Sequence, residues 1–155
     1  MRNLRARRKQ QGAALVEFAL IVPLLLMLFL GIVEFGVMMM HQLSLAQVAR
    51  EGSRAASLGN TVTQVNQRML NMAGALPNQN EFVTSLKYST DQGTTYPYTL
   101  GNAGGGVENN APAGSLIKVQ LDWPHHFLTG SFFSWMSNAQ GDRLPLRAIV
   151  IMRRE

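Results

Sequence analysis

Residues 13–40 read AALVEFALIVPLLLMLFLGIVEFGVMMM, and in that stretch only Glu17 and Glu34 carry charge. As a helix rising 1.5 Å per residue it is about 42 Å long, more than the roughly 30 Å of a bilayer's hydrocarbon core. The run predicts a membrane-spanning helix that reaches to about Met40, with length to spare for tilting or protruding. Pro23 removes one helical hydrogen bond and predicts a kink, which membrane helices tolerate. Immediately before the run stand Arg2, Arg5, Arg7, Arg8 and Lys9, with no acid among them. Basic residues flanking a span stay on the cytoplasmic side, so the N-terminus is expected inside and the C-terminal part outside. A secretory signal has a shorter apolar region followed closely by a small-x-small cleavage site; here Gly31 to Gly36 continue the run, so no removal after it is expected.

The composition of the whole chain fits a membrane-anchored protein. It has 155 residues, 46% hydrophobic and 15% charged, against about a quarter charged for a soluble domain. The net charge of +5 equals the five basic residues of the head, so the remainder is neutral. No basic stripe with interleaved aromatics follows, and no nucleic-acid partner is expected. The absence of cysteine excludes a disulfide scaffold, a zinc-thiolate site and a thiol nucleophile. What remains after the apolar run suffices for one small domain and excludes a large multidomain enzyme. Its apolar content is too high for intrinsic disorder.

Beyond the membrane the helical pattern continues to Ser57. Ala46, Ala49, Gly52, Ser53 and Ala56 recur at three- and four-residue spacing and make a narrow face of small residues that allows close packing. That face packs either on this protein's own domain or on another subunit. Arg50, Glu51 and Arg54 take the wetter side, Glu51 and Arg54 at (i, i+3). Gly59-Asn60 is a helix stop. Thr61 opens a second helix with Val62, Val65, Met69, Met72, Ala73 and Leu76 on one side, ended by Pro77. Three segments alternate at period two and predict strands: Phe82, Thr84, Leu86 and Tyr88; Ile117, Val119, Leu121 and Trp123; Leu146, Ala148, Val150 and Met152. A long loop containing Gly101 to Gly106 separates the first two and leaves room for a short strand at Thr95 to Leu100. The expected fold class is therefore α+β: a long N-terminal transmembrane helix, then a small domain of one helix packed on an antiparallel sheet of three or four strands. Its divisions are a basic leader at 1–12, the long helix at 13–58, and an extracytoplasmic domain at 59–155.

Several residue groups invite chemistry. An ionised carboxylate within a bilayer costs about 2.5 to 3.5 kcal/mol on insertion scales, so Glu17 calls for a partner, the alternative being an acid that snorkels or is neutralised. Glu34 lies about 25 Å further along the helix and is expected at the outer interface. Asp122, His125, His126 and the lone His41 suggest a metal or a tethered hydrolase. Adjacent histidines point apart on a strand and no second pair has ligand spacing, so neither metal nor cofactor is expected and a loop after Trp123-Pro124 is the simpler reading. Phe127, Phe132, Phe133, Trp135 and Met136 form an aromatic cluster that is either core or a partner surface. No nucleophile elbow, phosphate loop or paired acids occur, so the chain is not expected to be an enzyme.

Gly12 followed by Glu17-Phe18 resembles the processing site of type IV prepilins. The longer run Gly12-Ala-Ala-Leu-Val-Glu-Phe-Ala-Leu-Ile-Val-Pro23, with Gly31-Ile-Val-Glu-Phe-Gly36 and Ala49-Arg-Glu-Gly-Ser-Arg-Ala55, resembles the TadE-like family, pseudopilins of the tight-adherence (Flp) pilus machinery. The ending Met152-Arg153-Arg154-Glu155 resembles that family's terminal strand more weakly. The resemblance covers about the first third of the chain. It implies a pilin-like fold and a prepilin peptidase that cuts between Gly12 and Ala13 and methylates the new N-terminus. Gly12 then precedes the cut, Ala13 begins the mature chain, Glu17 is its acid at position five, and Phe18 is the aromatic after it. Such a cut removes all five basic charges of the leader and leaves an amine on Ala13 with which Glu17, of the same or a neighbouring copy, can pair. The implied partners are the peptidase, other pilins and pseudopilins, and the inner-membrane assembly platform. The major subunit of such pili is far shorter, so the extra domain implies an accessory, low-copy subunit. The alternative is an uncleaved, single-pass anchor for a binding domain.

Overall fold

The computed structural model describes residues 2–130 and 143–155. The chain divides into two compact units, residues 1–37 and 38–155. One helix, α1 (Arg2–Ser57), contributes to both and runs uninterrupted through Pro23. In the first unit its large side chains, among them Leu20, Leu24, Leu28 and Ile32, are exposed all round the helix. The most apolar 18-residue window has a mean hydropathy of 2.7 and none of it is buried. A helix that is apolar on every side lacks the one-sided stripe of a surface helix, and it meets the length and composition of a membrane span.

In the second unit α1 becomes one-sided. Leu45, Val48, Ala49, Gly52, Ser53, Ala55 and Ala56 are buried while Gln47, Arg50 and Arg54 face outward. The helix is followed by α2 (Val62–Met72), single turns of 3-10 helix at Ala73–Ala75 and Gln79–Glu81, and strands β1 (Val83–Ser89), β2 (Tyr98–Thr99), β3 (Leu116–His126) and β4 (Arg143–Arg153). The four strands form one antiparallel sheet in the order β2-β1-β3-β4. Along β3 every second residue is buried, from Ile117 through Val119, Leu121 and Trp123 to His125. These side chains join Leu45, Val48, Val65 and Met69 in a single core. This is the α+β architecture that the patterning predicts, with helices on one face of the sheet and the other face open.

Local chemistry accounts for the joints. Gly59 has φ +84°, a left-handed conformation that favours glycine. The Gly59 amide donates to the carbonyl of Ala56 and the Asn60 amide to that of Ala55, at 3.0 and 3.2 Å, which closes α1 with a Schellman motif. Thr61 caps α2 with a capping box: its hydroxyl accepts from the Gln64 amide, and the Gln64 side chain accepts from the Thr61 amide.

Three local expectations change. The regular part of α2 stops at Met72, which is exposed, and the 3-10 turn puts Ala73 and then Leu76 into the core ahead of Pro77. The short strand between β1 and β3 is only two residues long. No loop follows Trp123-Pro124, because β3 continues to His126. Pro124 lies directly opposite Pro145, and a pair with no amide hydrogens occupies a position where the ladder exchanges no bonds. The side of Pro124 away from β4 is beyond β1, whose last partner on β3 is Asp122. Both prolines thus sit where the sheet has no use for an N–H.

The small face of α1 lies against this domain. A Cβ on Gly52 would contact the Met69 sulfur and stand 2.7 Å from the Met69 Cγ and 3.6 Å from Val119. Gly52→Leu is expected to lower stability by roughly 1–3 kcal/mol through overpacking, less up to about 1 kcal/mol of helix propensity gained on replacing glycine. The check is thermal unfolding of the purified chain in detergent, with and without Met69→Ala. A smaller loss in the Met69→Ala background is expected, and equal losses would show that the two positions do not compete for space.

Candidate functional site

The residues picked out at the helix head lie within regular α1. Gly12 and Ala13 are helical, and Glu17 and Phe18 are exposed. Their exposed neighbours Leu15, Val16, Leu20 and Ile21 are all apolar. Glu17 makes no ion pair among the described residues and therefore presents a carboxylate on an otherwise apolar helical surface.

The small-residue face is placed differently. Ala49, Gly52, Ser53 and Ala56 are buried and Ala46 is half-buried, all within the second unit. The Ser53 hydroxyl approaches the carbonyl of Val150 at 3.4 Å. This is the first of the two packing alternatives that the sequence left open.

The histidines separate. His125 points into the core and His126 to the open face of β3. His41 Nδ1 and His125 Nδ1 are 3.0 Å apart and buried, with the His41 ring edge-on to Trp123 at 5.1 Å and 83°. One imidazole must donate and the other accept, so two imidazoliums would set two donors face to face. His126 Nε2 instead meets Glu81 at 2.8 Å. That hydrogen bond holds the Glu81 carboxyl below its usual value against the opposing effect of burial, aided by the positive charges of His126 and Arg143. Asp122 lies on the same open face. Burial would raise its pKa, but hydrogen bonds from Arg147 and Gln120 outweigh burial and lower it. The groups that suggested a metal or hydrolytic centre are thus divided between the two faces of one sheet. Among the described residues no three ligand side chains come together.

Two arrangements carried no legible signal in the sequence. Asn109, almost fully buried, donates through Nδ2 to the carbonyls of Ala56 and Asn60, and its own amide donates to the carbonyl of Gly59. Arg154 donates to its carbonyl and side-chain oxygens. The end of α1, the long loop and the end of β4 are thereby tied together. In the turn after β1, Asp91 accepts from the Ser89 hydroxyl and from the amide and hydroxyl of Thr95, and these bonds hold its carboxyl far below the usual range. Beside the turn a hollow of about 580 Å³ is lined by Ser89, Gln92, Gly114, Ser115 and Arg153, among others. Among the described residues its lining has hydroxyls and a guanidinium but no imidazole or carboxylate to act as a general base. Of the aromatic cluster, Phe127 is buried, while Phe132, Phe133, Trp135 and Met136 lie outside the described residues.

The described residues thus hold one helix long and apolar enough to cross a membrane, followed by a small α+β domain. A protein-family model described as TadE-like protein matches residues 12–54, the family that the three sequence blocks resemble. The match begins at Gly12 and spans somewhat over a quarter of the chain. Neither a curated protein nor a solved structure matches the chain.

Removing one ring of the buried histidine pair takes one hydrogen-bond partner from the other and leaves a cavity beside it, so His41→Ala and His125→Ala are each expected to cost roughly 1–3 kcal/mol. A double-mutant cycle on thermal unfolding should give clear coupling, and strict additivity would deny the hydrogen bond. For Asp91, a depressed folded pKa means that its contribution is present above the unfolded carboxylate value and is lost as pH falls below it. The protection factor of the Thr95 amide, corrected for intrinsic exchange at each pH, should fall on acidification below about pH 4 and be low at all pH in Asp91→Ala. Unchanged protection in that variant would remove Asp91 as the anchor of the turn.

Proposed function

We propose that this chain is a minor pseudopilin supporting assembly of a tight-adherence pilus, processed by a prepilin peptidase between Gly12 and Ala13. The observation that carries the reading is the family match, which starts at Gly12 and extends through the apolar helix to residue 54. The role is one of assembly without catalysis. The basic leader and apolar α1 hold the precursor in the inner membrane with its domain outside. Loss of the leader removes five positive charges and lowers the electrostatic barrier to drawing the helix out of the bilayer. The partners are the peptidase, other pilins and the assembly platform. Glu17, alone on the apolar surface, pairs with the amine of Ala13 in the same or a neighbouring copy. The bulk of the α+β domain supports a low-copy position in preference to the main building block.

Intact mass and N-terminal sequencing of the protein from membranes with and without the peptidase test the cut. A chain beginning at Ala13 only when the peptidase is present is expected; one beginning at Met1 in both would make the protein an uncleaved anchor for a binding domain. Glu17→Ala should be processed nearly as well as the parent yet assemble poorly, and normal pili from that variant would refute the pairing role.

A further inference from the structure

The outer edge of β4 is paired with no described strand. Because Pro124 and Pro145 face each other without amide hydrogens, the alternation of an antiparallel ladder turns the N–H and C=O groups of residues 147, 149, 151 and 153 away from β3. Two observations agree. The carbonyl of Arg147 accepts from Gln42 Nε2 at 2.9 Å, and the amide and carbonyl of Arg154, one position out of phase, bond back to Ser115 and Gly114. Ile149 and Ile151 therefore present their backbone groups to the edge away from β3, and their side chains are 46% and 47% exposed. Such an edge is a template for another strand.

Its charge selects the occupant. Arg147 and Arg153 bracket the two isoleucines on the open face of the sheet, and Lys118 stands opposite Ile151. On the helix side Arg50 and Arg54 line a hollow shared with Met152. Asp122 pairs with Arg147 and Glu51 with Arg68, whereas Arg50, Arg54 and Arg153 make no ion pair among the described residues. A second copy is a poor fit, because the two-fold register that sets Ile149 against Ile151 also sets Arg147 against Arg153 at both ends, and like charges directly opposite are destabilising. A strand with aliphatic residues on the open face sets no like charge against Arg147 or Arg153, and acids on its other face meet Arg50 and Arg54.

We propose that the edge of β4 from Arg147 to Arg153 is a strand-addition site for an extended segment of a partner protein, one that alternates aliphatic and acidic residues. Its aliphatic side chains cover Ile149 and Ile151, and its acids face the Arg50 and Arg54 side. The site does not rest on cleavage after Gly12, and its test is independent of processing. The probe is a fluorescent nonapeptide alternating glutamate and valine, titrated by anisotropy against the full chain in detergent micelles, beside a peptide with lysine for glutamate. Saturable binding of the glutamate peptide alone is expected. Ile151→Pro, which deletes an edge N–H and no ladder N–H, should weaken it about fivefold or more, and Arg50→Glu with Arg54→Glu should reverse the preference toward lysine. N-methylating alternate amides of the peptide keeps the test independent of any folding defect: one set should abolish binding and the other should leave it. Binding indifferent to both methylation sets would overturn the proposal. So would attachment to phosphatidylglycerol vesicles with no binding of the peptide, or self-association of the chain that Ile151→Pro abolishes.

Discussion

The domain is built on how closely α1 can approach the sheet and α2. At Gly52 no side chain intervenes, and Met69 of α2 fills the space with Val119 of β3 behind it. Ala49, Ser53 and Ala56 keep the same face low, so the backbone of α1 comes near enough for the Ser53 hydroxyl to approach a β4 carbonyl. Larger side chains resume toward the other end of this helical stretch, where Leu45 and Val48 meet the broader residues of β3 in one core. Small residues at one end and large ones at the other let the helix follow the twist of the sheet.

That packing also depends on how α1 ends. A helix terminating inside a domain leaves carbonyls without intrahelical partners, each expensive to bury. The Schellman turn at Gly59 satisfies those of Ala55 and Ala56, and the Asn109 side chain adds a second donor to Ala56. The Glu155 amide reaches the carbonyl of Ser57. Arg154 meets Asn109 from the other side and Glu108 at 2.8 Å. The long loop between β1 and β3 is consequently more than a connection: it carries the residue that stitches the first element of the domain to its last.

How far the sequence disclosed this depends on whether the signal was periodic. The apolar run, the small-residue spacing, the Gly59 stop, the Thr61 start and the three alternating strands all express local rules of patterning and capping, and all appear in the structure at or near the expected residues. The rest depends on contacts distant in sequence. Asn109 sits in a glycine-rich stretch with no pattern, and its partners lie 49 and 53 positions away. His41 and His125 are 84 apart, and nothing in either neighbourhood announces the pairing. Continuation of β3 through Pro124 was hidden for a related reason: proline reads as a strand breaker until it is known that its missing N–H points where no strand lies. Periodicity placed Ala46 to Ala56 on one face but could not say what that face touches, since close packing has the same signature within a chain and between chains.

A single helix in this protein presents two kinds of surface, and the change falls within its own length. From Leu15 to Val33 its side chains are apolar on every side but for Glu17; from Met38 on, burial is confined to one face, and Arg50 and Arg54 occupy the other. A bilayer accepts the first surface and rejects the second, because guanidinium groups at mid-membrane are strongly disfavoured while lipid-facing leucines are not. The depth of the helix is therefore bounded from the domain side by residues that also belong to the domain's structure. It is bounded at the other end by the five basic residues of the head, whose removal would leave that boundary undefined. Glu17 would then be the first charge of the helix, and its carboxylate, with no ion pair among the described residues, would be satisfied by water, by an amine or by protonation. On the proposed assembly reading, where water is scarce among packed apolar helices, an amine is the partner that would make Glu17 specific.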